Sequence, residues 1–133
     1  MEASLQPGLF GEISVVVSER DTAIEHGSGG VPVFATPAMI ALMENAALTS
    51  VARYLSGGST TVGIKISSTH SAATPVGMTV TAKSELIEID GKRLIFKVEA
   101  FDEVDRIGEG IHERFIINTE KFMKKIIEKA SRQ

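Results

Sequence analysis

The stretch from Thr36 to Leu55, TPAMIALMENAALTSVARYL, constrains what this chain can fold into more than any other. A hydroxyl residue followed by proline reads as a helix start, with Thr36 at the N-cap and Pro37 at N1. The hydroxyl can accept from a free backbone N–H, and proline has none to satisfy. Gly57 ends the helix. Between them, Met39, Ile40, Leu42, Met43, Ala46, Ala47, Leu48, Val51 and Leu55 cover most of the circumference. A helix apolar nearly all round is expected to be enclosed, with the rest of the chain wrapped around it. Only Asn45, Thr49 and Arg53, spaced by fours, make a narrow polar stripe.

Glu44 lies off that stripe. Its neighbours one turn away are Ile40, Ala41, Ala47 and Leu48, so its carboxylate projects from an apolar patch. Carboxylates in such surroundings cluster at working sites. A glutamate that reaches a rim or caps a nearby loop is the structural alternative, and periodicity leaves both open.

At 133 residues the chain suits a single domain with one sizeable core. A net charge of −3 with mixed signs offers no broad basic surface, which argues against nucleic acid and against a polybasic membrane anchor. There is no cysteine, so disulfides, thiol catalysis and cysteine metal sites are excluded. No apolar run approaches the roughly 20 residues needed to span a bilayer, nor does the N-terminus read as a leader. These features predict a soluble, cytoplasmic protein.

The remaining pattern is largely strands. Met1 to Gly11 reads as a mobile or edge-lying lead-in, and Glu12 to Ser18 as a strand. Glu19 to Val33, with Gly27, Gly29, Gly30 and Pro32, reads as a flexible loop, either a lid or a connector that needs glycines to turn. After Gly57-Gly58, alternating Val62, Ile64 and Ile66 predict a strand over Thr60 to Ala73, followed by a turn at Thr74 to Gly77. Met78 to Ile89 and Lys92 to Val104 form a hairpin about Asp90-Gly91, a type I′ signal. Leu94, Phe96, Val98 and Ala100 share one face of its second strand. Beyond a turn at Asp105-Arg106, Ile107 to Asn118 is a further strand with Ile111, Phe115 and Ile117 in phase. In the last helix, Thr119 to Ala130, the stripe of Phe122, Met123, Ile126, Ile127 and Ala130 should dock on the sheet. The fold class is therefore α+β, a five-stranded antiparallel sheet around one central helix with a C-terminal helix. One helix cannot cover so much sheet, which points to dimerisation.

Of the three histidines, His26 sits in the glycine-containing loop and is most simply solvated. His112 is out of phase with Ile111 and Phe115, which puts it on the opposite strand face. His70 shares parity with Val62, Ile64 and Ile66 and, without a bulge, lies on their side; a hydrogen-bonded structural histidine and a catalyst both fit. No histidine spacing suits a metal, and Gly27-Ser28-Gly29-Gly30 lacks the context of a phosphate loop.

Thr36, Glu44, Gly63 and His70, followed by AATPVGMTVTAKSELIEIDGKRLIFKVEAFDEVDRIGEGIHERFII, resemble the fluoroacetyl-CoA thioesterase-like family of hotdog-fold thioesterases. The similarity runs from the central helix nearly to the end of the chain. In that family a threonine, a glutamate eight residues on and a histidine twenty-six further form the catalytic set, and Thr36, Glu44 and His70 keep both intervals. Gly63 matches a glycine lining the acyl site, and Arg114 an arginine near it. The resemblance implies hydrolysis of an acyl-CoA thioester without metal or other cofactor, in a pocket shared by two subunits, with a tetramer left open. The family's specific enzyme closes its site with a phenylalanine-bearing lid. Here the corresponding loop is shorter, and Phe34, its one aromatic, is the candidate substrate contact. The expected substrate is thus a short- to medium-chain acyl-CoA. An enoyl-CoA hydratase or dehydratase, and a non-catalytic acyl-CoA-binding domain, are the competing readings.

Overall fold

The computed structural model describes residues 4–133. Five antiparallel strands form one sheet: β1 (Phe10–Val16), β2 (Ser59–His70), β3 (Thr79–Asp90), β4 (Arg93–Phe101) and β5 (Arg106–Asn118). Their spatial order is β1-β3-β4-β5-β2, which leaves β1 and β2 as the edges. Helix α1 (Thr36–Val51) packs on the sheet, and α2 (Thr119–Ala130) follows β5. The expected fold class holds. Of the lead-in, Met1 to Ala3 lie outside the described residues. The remainder is tied down, with Gly8 N–H donating to the Leu86 carbonyl and Leu86 N–H to that of Leu9.

The core forms where α1 meets the inner sheet face. Val80, Ala82 and Leu86 of β3, and Leu94, Phe96, Val98 and Ala100 of β4, have no exposed surface, so the alternation read on β4 is the true one. They meet Met39, Met43, Ala46, Ala47 and Val51 of α1. Each large side chain enclosed here contributes about 1.5–3 kcal/mol. At Gly11 of β1 any side chain would run into the Ala46 carbonyl, so strand and helix pack backbone to backbone.

Several expectations are corrected. Helix α1 is not enclosed: only one side is buried, while Ile40, Glu44 and Leu48 are half-buried and Ala41 is exposed. The α-helix stops at Val51, and Ala52–Tyr54 form a 3₁₀ turn. Ala35, not Thr36, is the N-cap, and no side chain caps the helix. The hairpin loop is Gly91-Lys92, one residue later than read, because Asp90 pairs with Arg93. Gly91 has φ +62° and Lys92 is not in the positive region, which is the II′ arrangement rather than I′. The Glu19 to Val33 loop is pinned by a 3₁₀ turn at Glu19–Asp21, by pairing of Thr22 with Phe34, and by Ala23 N–H on the Val33 carbonyl. Asp102 organises the β4–β5 turn, accepting from Val104 and Asp105 N–H and from the buried Thr74 hydroxyl.

Helix α2 begins at Thr119 as expected, and the structure adds an N-cap, the Asn118 side chain accepting from Lys121 N–H. It does not dock. Met123, Ile126 and Ile127 stay exposed. Among the described residues, no helix is long and apolar enough to cross a membrane.

Candidate active site

A single irregularity places the candidate residues of β2. Strand β2 carries a bulge between Gly63 and Lys65, so the inward face switches from odd to even positions there. Thr61 and Gly63 face α1 before it; Ile66, Ser68 and His70 do so after it, as the Ser68 hydroxyl on Met43 Sδ shows. Of the residues read as sharing the side of His70, only Ile66 does. Val62 pairs with Phe115 on the outer face, and Ile64 is half exposed.

This switch brings His70 to the start of α1, where its Nδ1 lies 2.7 Å from the Thr36 hydroxyl. The cap geometry matters here. Because Thr36 is the first helical residue and its hydroxyl is not spent on capping, the hydroxyl is free to donate to the imidazole. The Nε2 side of the ring is enclosed without an aligned hydrogen-bond partner. Burial pushes His70 below the usual imidazole range, partly offset by the nearby Ala72 backbone. The ring is therefore neutral near pH 7, the form that can take a proton from Thr36. Pro37 has no N–H and Met39 N–H bonds Ala35, which leaves the Thr36 and Ala38 N–H groups without intrahelical partners at the positive helix end. The pair lines a cavity of about 270 Å³ with Ala23, Ser28, Phe34 and Ala72.

Glu44 is elsewhere in the chain. It lines a second cavity, about 400 Å³, with Ala41, Leu48, Thr61, Gly63 and Arg114. Eight helical residues separate it from Thr36, about 12 Å along the axis. One chain thus unites Thr36 with His70, and Glu44 with Gly63 and Arg114, but does not join the two sets. Phe34 is 2% exposed and belongs to the core as much as to the first cavity's wall. His26 lines a different groove beside Ile13, Ala38 and Leu42.

Arg114 is 6% exposed and held from three directions. Its Nε–H donates to the Thr61 hydroxyl at 2.7 Å, one Nη–H to the Thr61 carbonyl at 2.9 Å, and another to His112 Nε2 at 3.1 Å. Burial weakens its hold on a proton, and the Glu44 carboxylate acts against that. His112 lies opposite Ile111 and Phe115, as its phase predicts; theirs is the exposed face and His112 is 1% exposed. Sequence reasoning passed over it as a site neighbour, although the two-residue spacing in HERF already puts His112 and Arg114 on one strand face.

Comparison with known proteins identifies the family and the fold. Residues 17–120 match the family described as FlK, fluoroacetyl-CoA-specific thioesterase. The fluoroacetyl-CoA thioesterase of Streptantibioticus cattleyicolor is 48% identical over 97 residues, 73% of this chain and 70% of that protein. A solved structure of the fluoroacetyl-CoA thioesterase FlK superposes with a TM-score of 0.90 at 38% identity, covering 96% of this chain and 98% of that one. A hot-dog-like protein from Thermanaerovibrio acidaminovorans shares the fold, with a TM-score of 0.85 at 22% identity over 92% of this chain and 91% of its own. The chain is a hotdog-fold member of the fluoroacetyl-CoA-specific thioesterase family.

Proposed function

We propose that this thioesterase hydrolyses short- to medium-chain acyl-CoA at a site completed by two copies of the chain, with Thr36 and His70 from one copy and Glu44 from the other. The observation that carries the reading is the Thr36–His70 hydrogen bond at the start of α1, made by a neutral imidazole. In the first step Thr36 Oγ1 attacks the thioester carbonyl and its proton passes to His70 Nδ1. The oxyanion is stabilised by the free N–H groups of the helix start. The C–S bond then breaks, and His70 returns the proton to the CoA thiolate. Water, deprotonated by Glu44, attacks the threonyl ester, the C–O bond to Thr36 breaks, and Glu44 passes its proton to the departing Thr36 oxygen as the acid is released. No step requires a metal or a redox cofactor; CoA enters only as part of the substrate. Gly63 and Arg114 would line the acyl site beside Glu44, with Phe34 at the opposite wall.

The need for two copies follows from spacing. Thr36 and Glu44 on one helix are too far apart to reach the same carbonyl. If two α1 helices pack antiparallel about a two-fold axis near Ile40, the midpoint of the interval, each Thr36 meets the other's Glu44. Ile40 and Ala41 are among the incompletely covered residues there, and β2 is an edge strand available for the same pairing. A tetramer would extend this homodimer. We assign the protein to the cytoplasm on its acidic, cysteine-free sequence.

Mixing tests the shared site. Thr36→Ala and Glu44→Ala are each expected to be inactive in thiol release from acetyl- or butyryl-CoA. Subunit exchange between them should restore roughly a quarter of wild-type sites, because each mixed dimer regains one intact set. No recovery after verified exchange, or light scattering at monomer mass, would remove the shared site. A hydratase would instead consume enoyl-CoA without releasing thiol.

A further inference from the structure

We propose that His112 is a positioning residue for thioester hydrolysis: it aims the Arg114 guanidinium into the Glu44 cavity through a single, fixed imidazole tautomer. This rests on the reading of Arg114 and Glu44 above. The geometry leaves the ring no choice. His112 Nδ1 is 2.8 Å from the Lys65 carbonyl, which can only accept, so Nδ1 carries the proton. Arg114 can only donate, so Nε2 must present its lone pair to Nη1. With Thr61 taking two further donors, two of the five Arg114 N–H bonds have no protein partner among the described residues, and the residue lines the Glu44 cavity.

The ring itself is immobile. It is fully enclosed, and the Phe96 ring of β4 lies 6.3 Å away, centroid to centroid. It stands beside Gly63, whose missing side chain leaves room for both the ring and the Glu44 carboxylate. The groups facing it are Arg114 and Glu113 of β5, the Lys65 carbonyl of β2, Glu44 of α1 and the uncharged Phe96 of β4. Burial holds its proton affinity below the usual imidazole range. The Lys65 bond opposes that, Arg114 reinforces it, and Glu44 and Glu113 oppose it. Protonation would turn Nε2 from acceptor into donor and set two cations against each other, so Arg114 would have to leave its place. A residue that merely filled space would have no such consequence.

The test compares His112→Gln, which retains an acceptor and a donor, with His112→Phe, which retains only bulk. Thiol release from acetyl- and butyryl-CoA is followed from pH 5 to 9, alongside circular dichroism. We expect His112→Phe to lose about tenfold or more in kcat/KM, the effect of removing one hydrogen bond to a charged group. His112→Gln should recover most of that loss at pH 8, and the acid limb of its profile should show one protonation fewer than wild type. Nitrogen-15 spectra of the wild-type ring should show Nδ1–H and a bare Nε2. The proposal is overturned if His112→Phe is as active as wild type, if His112→Gln is no better than His112→Phe, if its acid limb is unchanged, or if the ring carries Nε2–H. Should His112→Phe fail to fold, His112→Gln and the spectra decide. A wild-type protein that releases no thiol from any acyl-CoA would refute the function and leave the tautomer assignment to stand or fall on the spectra.

Discussion

Gly63→Ala would add one methyl group where Glu44, His112 and Arg114 converge. Its Cβ would stand 3.1 Å from Glu44 Oε2, 3.2 Å from His112 Cε1 and 3.5 Å from Arg114 Nη1. Gly63 is not in the positive-φ region, so alanine can take up the backbone and strain plays no part. Ordinary contacts of this kind begin near 3.5 Å, so the first two gaps must each open by a few tenths of an ångström. His112 cannot give, being held at both nitrogens, so the added methyl group must lean off the ring towards Glu44. Glu44 is half-buried at the end of a flexible side chain and moves instead. The folding cost therefore stays near the low end of overpacking, about 1 kcal/mol, or about 2–4 °C in melting temperature. The catalytic cost is larger, because displacing a reacting group by up to 1 Å lowers rates by up to about a hundredfold. Thiol release from acetyl-CoA, with thermal melts on the same samples, separates the two effects. Gly57→Ala is the control, since its methyl group would meet nothing within 4 Å. A Gly63→Ala protein with wild-type kcat would refute the placement of Glu44 at the reacting centre. A large loss of stability would refute the claim that Glu44, and not the sheet, yields.

Two further outcomes follow. Glu44→Ala and His70→Ala should each lower thioester cleavage by at least about a hundredfold with the fold retained, as expected for loss of an acid–base group; unchanged hydrolysis in both would remove them from the site. Melting temperature should fall between pH 8 and pH 5.5. His70 and His112 are both held below 6.5 in the folded chain, so the unfolded chain binds protons first, and stability complete above about 6.5 is lost as pH drops. Asp102, held below 3.8 by its hydrogen bonds, acts only at lower pH, and a flat melting curve across the window would contradict the burial of the two rings.

Local pattern was enough to place every strand and both helices to within a few residues, because alternation and helical spacing are properties of the chain itself. The intervals among Thr36, Glu44 and His70 can be counted in the chain, but only the resemblance, carried also by the segments after His70, gives them a meaning. Burial was not. Helix α1 reads as enclosed, yet one flank stays uncovered, since periodicity records which surface is apolar and not what covers it. The same holds for α2, whose apolar stripe is real and whose docking is not.

Sequence alone supplied an acid, a hydroxyl and an imidazole on elements of the right kind. Only the tertiary structure decided that His70 meets Thr36, because one bulge in β2 reverses which residues face the helix, and no local signal marks where a strand gains that extra residue. It likewise decided that His112 and Arg114 lock together behind Gly63, since that contact depends on the register of β5 against β2, a pairing of segments nearly fifty residues apart.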